Sequence, residues 1–135
     1  MRPPQEIRVA INSDQDIVVA RQRGRSLALE LGFSPGDATL IATAISELAR
    51  NIVSYAQTGV VSLQGIQTTH RQGILVIASD NGPGITDIRQ AMRDGFSTSG
   101  SLGLGLPGVK RIMDEFEIQS RSGGGTKVVV KKWNR

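Results

Sequence analysis

The chain has 135 residues, 39% hydrophobic and 21% charged, a composition typical of a globular domain with a substantial core, and we expect a single domain over residues 1–135. It has no cysteine and one histidine, which excludes disulfides, thiolate catalysis and cysteine-based or multi-histidine metal sites. Its longest apolar run, ILVIA, is far too short to span a bilayer. We therefore expect a cytoplasmic protein with no membrane partner. The net charge of +4 is accompanied by only 4% aromatic residues and no recognition motif, so the basic C-terminal segment favours a solvated edge strand over nucleic-acid binding.

The first part of the chain predicts a strand followed by two helices. Residues 6–12, EIRVAIN, alternate apolar and polar side chains, as a half-buried strand does. Ser13 starts a helix that ends near residue 31, with an acidic residue three positions later completing a capping box. Ser34 as the cap and Pro35 in the first turn start a second helix, which extends to about residue 56.

The second part of the chain predicts strands, a helix and a closing hairpin. Residues 59–66 and 73–79 have the pattern of two strands, and the second is apolar enough to be central and covered. A short helix is expected over residues 86–93, a Gly/Ser-rich loop after it, a helix over residues 106–116 and a hairpin over residues 117–132. This order predicts an α/β (α+β) two-layer sandwich, with a mixed, mostly antiparallel sheet and helices on one face.

Two polar residues of the second helix, Glu47 and Asn51, are four positions apart and therefore share one face, at the border of the apolar stripe. Arg50 is expected to point further round, toward solvent. Considered alone, the pair is compatible with a solvated glutamate and an asparagine that bonds to its own helix. A functional role requires a partner at the end of a strand.

The segment DNGPG, residues 80–84, follows the buried strand and supplies such a partner. The Asp80 carboxylate can accept a hydrogen bond from an exocyclic amino group such as N6 of adenine, whereas the O6 acceptor of guanine would be repelled. Gly82 and Gly84 lack a Cβ, which lets a flat ring approach the backbone. The alternative is a plain turn with an aspartate cap.

The segment SLGLGLPGV spells G-x-G-x-x-G with Gly103, Gly105 and Gly108. A dinucleotide fingerprint should follow a strand in a βαβ unit, and here a Ser/Gly loop precedes it, so we reject that interpretation. Glycines before a helix N-terminus still expose backbone N–H groups and the positive end of the helix dipole to phosphate. A Gly-rich loop without a ligand is the alternative.

Four segments occur in the order typical of the GHKL superfamily of ATPases and kinases: ELARN (residues 47–51), DNGPG (80–84), GLGL (103–106) and GGGT (123–126). The chain resembles this superfamily, which implies the GHKL (Bergerat) ATP-binding fold. Its size does not accommodate the further domains of the gyrase-like, Hsp90-like and MutL-like proteins or the helical histidine domain of the histidine kinases. It therefore resembles the serine/threonine kinases of the anti-sigma and switch-kinase branch, and most closely the RsbT-type switch kinases of the bacterial stressosome.

The resemblance implies a role for each matching position. Residues expected to contact ATP are Asn51, Asp80, Gly82, Gly84, Gly103, Leu104, Gly105 and Thr126. Asp80 would bind adenine N6, with Thr126 near the ring, and Asn51 would ligate Mg²⁺ through its amide oxygen. Residues 95–105 would form a lid over the phosphates. Glu47 would be catalytic, because it would take or orient the proton of an incoming serine hydroxyl.

The function that the resemblance implies is an ATP-dependent protein serine/threonine kinase with ATP and Mg²⁺ as cofactors. It would phosphorylate STAS-domain proteins and switch partners, including a downstream phosphatase, in a stress-response pathway that controls a sigma factor. One alternative is an anti-sigma factor that sequesters a sigma subunit and phosphorylates its antagonist. Another alternative is a nucleotide-gated binding module without transfer activity. The presence of both Glu47 and Asn51 argues against it.

Overall fold

The structure of the protein is a computed structural model, which describes residues 6–83, 105–121 and 123–134. In chain order its elements are β1 (Glu6–Ile11), α1 (Asp14–Glu30), α2 (Pro35–Tyr55), β2 (Gly59–Gln67), β3 (Gln72–Asp80), α3 (Gly105–Ile112), β4 (Glu115–Arg121) and β5 (Gly125–Asn134). The helix predicted over residues 86–93 lies outside the described residues, as does the part of the predicted lid before residue 105. No helix in the described ranges is both long and apolar enough to cross a membrane.

The strands form one sheet with the order β1-β2-β3-β5-β4, and every described pairing is antiparallel. β3 occupies the centre, as its apolar sequence predicts. Ile74, Val76 and Ala78 of β3 are buried, whereas Leu75 and Ile77 on the opposite face are partly exposed. α2 packs on the buried face and α1 packs against α2 and β1, so the predicted two-layer α/β fold with helices on one face is confirmed.

Helix α2 carries most of the polar residues of interest, and its position follows from its caps and its apolar stripe. The Ser34 Oγ accepts a hydrogen bond from the Asp37 N–H at 3.1 Å, and Pro35 lies in the first turn, as predicted. The predicted apolar stripe is buried and consists of Ile41, Ile45, Leu48 and Ile52. Burial of this stripe sets the rotation of α2 about its axis and therefore the directions of Glu47 and Asn51.

Helix α3 ends at Ile112, earlier than predicted. The prediction extended this helix to Phe116 because the apolar spacing is helical, but Phe116 lies in β4 and pairs with Val130 of β5. The chain changes direction before β4, where the Asp114 N–H donates to the Lys131 carbonyl at 2.9 Å. Pairing with β5 prevails over the helical pattern because the ladder satisfies the backbone groups that a further helical turn would have satisfied.

Candidate active site

A pocket lies between α2 and the neighbouring ends of β3 and β5. The sheet register places Asp80 opposite Thr126, and Asn51 of α2 lines the same pocket. The remaining lining residues are Leu48, Ile52, Tyr55, Ala78, Leu106 and Val128. A mainly apolar lining with a few convergent polar groups is the usual composition of a small-molecule site. The structure therefore brings together three of the predicted site residues, which are far apart in the sequence.

The Asp80 carboxylate is half-buried at the end of β3, and its Oδ1 accepts two backbone hydrogen bonds. The Gly82 N–H donates at 2.9 Å and the Thr126 N–H donates at 3.3 Å. Among the described residues, both hydrogen bonds to this carboxylate end on Oδ1, so Oδ2 keeps its capacity to accept a hydrogen bond from a ligand. Because both donors belong to the backbone, they hold the side chain in one orientation.

Three glycines let neighbouring segments close around Asp80. A Cβ on Gly82 would lie 2.5 Å from the Ala56 Cβ at the end of α2, and one on Gly59 would lie 3.1 Å from the Asp80 Cβ. Gly125 has φ +88°, and a Cβ there would overlap the Asp80 carbonyl oxygen. The residue that lies close to Gly82 in the structure is Ala56, at the end of α2, and the predicted approach of a flat ring to Gly82 stays a prediction.

The Glu47 carboxylate lies one turn before Asn51 in α2, and both of its oxygens accept hydrogen bonds. Arg50 Nη1 donates to Glu47 Oε1 at 2.7 Å, and the Gly105 N–H donates to Glu47 Oε2 at 3.1 Å. The Glu47 side chain is 8% exposed and that of Arg50 is 34% exposed. Gly105 is the first residue of α3, so the carboxylate also lies at the positive end of that helix dipole. A nearly buried carboxylate is thus paired with one cation and one backbone donor.

This network changes one expectation. Arg50 does not simply point toward solvent, since its guanidinium pairs with Glu47. The Gly105 N–H donates to Glu47 in this structure, and its contact with phosphate stays a prediction. Glu47 itself is not among the residues that line the pocket of Asn51. All of the predicted ATP contacts stay predictions, and three of these residues lie outside the described part of the chain: Gly84, Gly103 and Leu104.

Several neighbours of the site were not predicted from the sequence. Tyr55 lines the pocket and lies four residues after Asn51, so helical periodicity could have found it. Ser120 Oγ and Thr126 Oγ1 are hydrogen-bonded at 2.9 Å across β4 and β5. No local signal marks that pair, because it depends on the register of the hairpin. Gly125 belongs to the quoted GGGT segment, but its contact with the end of β3 was not predicted.

Comparison with known proteins identifies relatives of the chain. The family described as "Histidine kinase-, DNA gyrase B-, and HSP90-like ATPase" matches residues 36–134. The serine/threonine-protein kinase RsbT of Bacillus subtilis is 54% identical over 127 residues, which cover 94% of this chain and 96% of that protein. An anti-sigma F factor of Clostridium novyi is 26% identical over 90% of this chain and 89% of its own length.

Solved structures with the same fold include two histidine kinase domains. The catalytic domain of the histidine kinase ThkA superposes with a TM-score of 0.52 at 16% identity and covers 97% of this chain and 95% of that one. The histidine kinase domain of the Erythrobacter litoralis blue-light activated histidine kinase gives a TM-score of 0.52 at 18% identity, with 88% of this chain and 59% of that chain covered. At these identities the likeness concerns the fold alone.

Proposed function

The chain belongs to the histidine kinase-, DNA gyrase B- and HSP90-like ATPase family and, within it, to the RsbT-like serine/threonine-protein kinases, and we propose that it transfers the γ-phosphate of ATP to a serine or threonine of a STAS-domain protein. Phosphorylation would change which partners that protein binds in a stress-response pathway controlling a sigma factor. One catalytic domain would span the chain and would act in the cytoplasm, where ATP is available.

The observation that carries this proposal is the pocket at the ends of β3 and β5. Asp80 offers an acceptor oxygen at its rim, and N6 of adenine is a donor that this oxygen would select over O6 of guanine. Leu48, Ile52 and the other apolar lining residues supply the surface on which a ring can pack. The two backbone bonds to Asp80 support this role, because an oriented acceptor loses little entropy when a ligand binds.

Asn51 would hold Mg²⁺ in this proposal. Its amide side chain is half-buried in the lining of the pocket. An amide oxygen is a hard ligand of the kind that Mg²⁺ binds, and the ion usually takes its other ligands from phosphate oxygens and water. The side chain of Asn51 therefore fits the ion. Bound Mg²⁺ would neutralise negative charge on the phosphates.

Glu47 would orient the acceptor hydroxyl and take its proton. Phosphoryl transfer depends mainly on alignment and charge stabilisation, so one positioned carboxylate is sufficient on the protein side. The Gly105 N–H, which donates to Glu47 here, would donate to a phosphate oxygen instead when ATP is bound. The positive end of α3 favours either anion at that position.

The test is incubation of the chain with γ-labelled ATP, Mg²⁺ and the STAS-domain proteins encoded beside it, followed by intact-mass spectrometry. We expect one phosphate on a serine or threonine. Glu47→Ala should retain Mg-ATP binding and lose transfer by about 10²–10⁴-fold, the usual contribution of a positioned base, whereas Glu30→Ala, at an exposed position of α1, should transfer normally. Retained ATP binding without transfer to any candidate would contradict the proposal and favour a nucleotide-gated binding module.

Anti-sigma activity is a second candidate, favoured by the relatives named anti-sigma F factor at 26% and 29% identity. Such a protein would sequester a sigma subunit and would keep the same nucleotide site, so the catalytic residues do not distinguish the two functions. A pull-down with sigma factors does distinguish them. Stable, stoichiometric capture of a sigma factor would replace the switch-kinase proposal by this one.

A further inference from the structure

We propose that Arg50 is a positioning residue for phosphate transfer, which acts by holding the Glu47 carboxylate in its reactive orientation. This inference rests on the proposed function, since it assigns a role toward Glu47 rather than toward ATP. The resemblance from which the site residues were predicted assigned no role to Arg50, and its sequence position suggested a solvated side chain.

The geometry limits what Arg50 can do. Its Nη1 lies 2.7 Å from Glu47 Oε1, a distance typical of a charge-assisted hydrogen bond. Both residues belong to α2 and are three positions apart, so the helix backbone fixes their relative placement. Arg50 does not line the pocket that contains Asn51 and Asp80. The guanidinium therefore contacts the Glu47 carboxylate and is not part of the lining around Asn51 and Asp80.

Because Glu47 is nearly buried, its ion pair with Arg50 matters more than an exposed ion pair would. An exposed ion pair contributes little because water solvates either partner when the other is removed. The Glu47 side chain is only 8% exposed, so loss of its cation leaves a nearly buried carboxylate whose remaining described hydrogen-bond donor is the Gly105 N–H. Such a carboxylate would rotate toward solvent, away from the position that the acceptor hydroxyl must reach.

The second donor to Glu47 makes Arg50 more important during the reaction. The Gly105 N–H holds Oε2 at 3.1 Å in the present arrangement. When this N–H donates to phosphate, as proposed above, Arg50 becomes the described group that still restrains the carboxylate. Its contribution should therefore be found in the transfer step and not in the binding of ATP.

The experiment compares Arg50→Met, which keeps the aliphatic stem without the charge, with Arg50→Lys, which keeps the charge. The matched control is Arg25→Met at an exposed position of α1. Transfer to the STAS-domain acceptor is measured as kcat and as KM for ATP. We expect Arg50→Met to lower kcat by about 10- to 100-fold with KM for ATP within about 2-fold, as expected for misplacement of a reacting group. Arg50→Lys should recover most of kcat, and the control should match the wild type.

A double variant tests whether Arg50 acts through Glu47. In the Glu47→Ala background no buried carboxylate needs a cation, so Arg50→Met should fold and should leave the residual rate unchanged. A further loss of rate in this background would show an independent role and overturn the proposal. This comparison also decides the question if Arg50→Met alone fails to fold.

The remaining outcomes separate this inference from the proposed function. Wild-type kcat in folded Arg50→Met, together with an inactive Glu47→Ala, would overturn the role of Arg50 and leave the kinase function intact. A rise in KM for ATP at unchanged kcat would make Arg50 a nucleotide contact, which also overturns the proposal. Absence of transfer by the wild type would overturn the proposed function and this role with it.

Discussion

At the residue scale, the proposed selection of the nucleotide would depend on the orientation of one side chain, Asp80. Its Oδ1 is held by the backbone of Gly82 and Thr126, which leaves the carboxylate no freedom to turn without breaking both bonds. An amide at this position has one oxygen instead of two. If that oxygen keeps the two hydrogen bonds from the backbone, the amino group takes the place of Oδ2, which is the acceptor that adenine N6 would require.

We therefore predict that Asp80→Asn weakens ATP binding by about 30- to 100-fold, corresponding to a lost hydrogen bond and an opposed donor. Isothermal titration calorimetry with Mg-ATP measures the affinity directly. The matched control is Asp14→Asn, at an exposed position in the first turn of α1, for which no change is expected. Equal affinities of Asp80→Asn and the wild type would refute the assignment of Asp80 to adenine.

At the scale of elements, two glycines with positive φ, one in the β4–β5 turn and one at the start of β5, differ in their surroundings. Gly123 has φ +76° and nothing within 4 Å of the position of a Cβ, whereas Gly125 has φ +88° and meets the Asp80 carbonyl oxygen. The turn is also tied to the loop after β3, because the Gly123 N–H donates to the Pro83 carbonyl at 2.7 Å. The start of β5 and the end of β3 can therefore lie side by side only with glycine at position 125.

Alanine substitutions at these two glycines give a prediction in which one variant is the control for the other. Gly123→Ala should lower the free energy of unfolding by about 1–2 kcal/mol, the cost of a left-handed conformation for an L-residue. Gly125→Ala should cost at least about 2 kcal/mol more, because the backbone of β5 must move away from β3, and it should also weaken ATP binding. Urea denaturation of both variants measures the difference. Equal stability losses would mean that β5 and β3 separate easily, contrary to the packing described above.

At the scale of the whole molecule, the pocket joins elements that are distant in the sequence. Asn51 comes from α2, Asp80 from β3 and Thr126 from β5, so a ligand that touches all three links both layers of the fold. A ligand bound only by the native state stabilises that state in proportion to the logarithm of its concentration over Kd.

We expect Mg-ATP at 100 times its Kd to stabilise the fold by about 2.7 kcal/mol, which a thermal unfolding experiment detects as a higher Tm. GTP at the same concentration should give little or no increase, because guanine presents O6 where Asp80 requires a donor. Glu47→Ala should keep the ATP effect, since Glu47 does not line the pocket. Equal increases of Tm with ATP and GTP would show that the base is not read by Asp80.

The sequence by itself determined the elements whose signals are local. Ser34 and Pro35 marked the start of α2, the apolar run of β3 marked the central strand, and four short segments indicated the family. These features depend on hydrogen bonds and burial within one helix or strand, so neighbouring residues encode them. The pairing of Asn51 with Asp80 in one pocket could also be anticipated, because the resemblance related the two segments.

The tertiary structure alone decided the matters in which distant groups compete. Helix α3 ends at Ile112 because backbone pairing with β5 replaces its next turn. Arg50 turns toward Glu47 because a nearly buried carboxylate requires a cation, and Gly105 donates to the same carboxylate from another helix. Each outcome depends on a partner in another helix or strand or on the burial of a neighbouring side chain, and neither is fixed until the sheet and helices have packed.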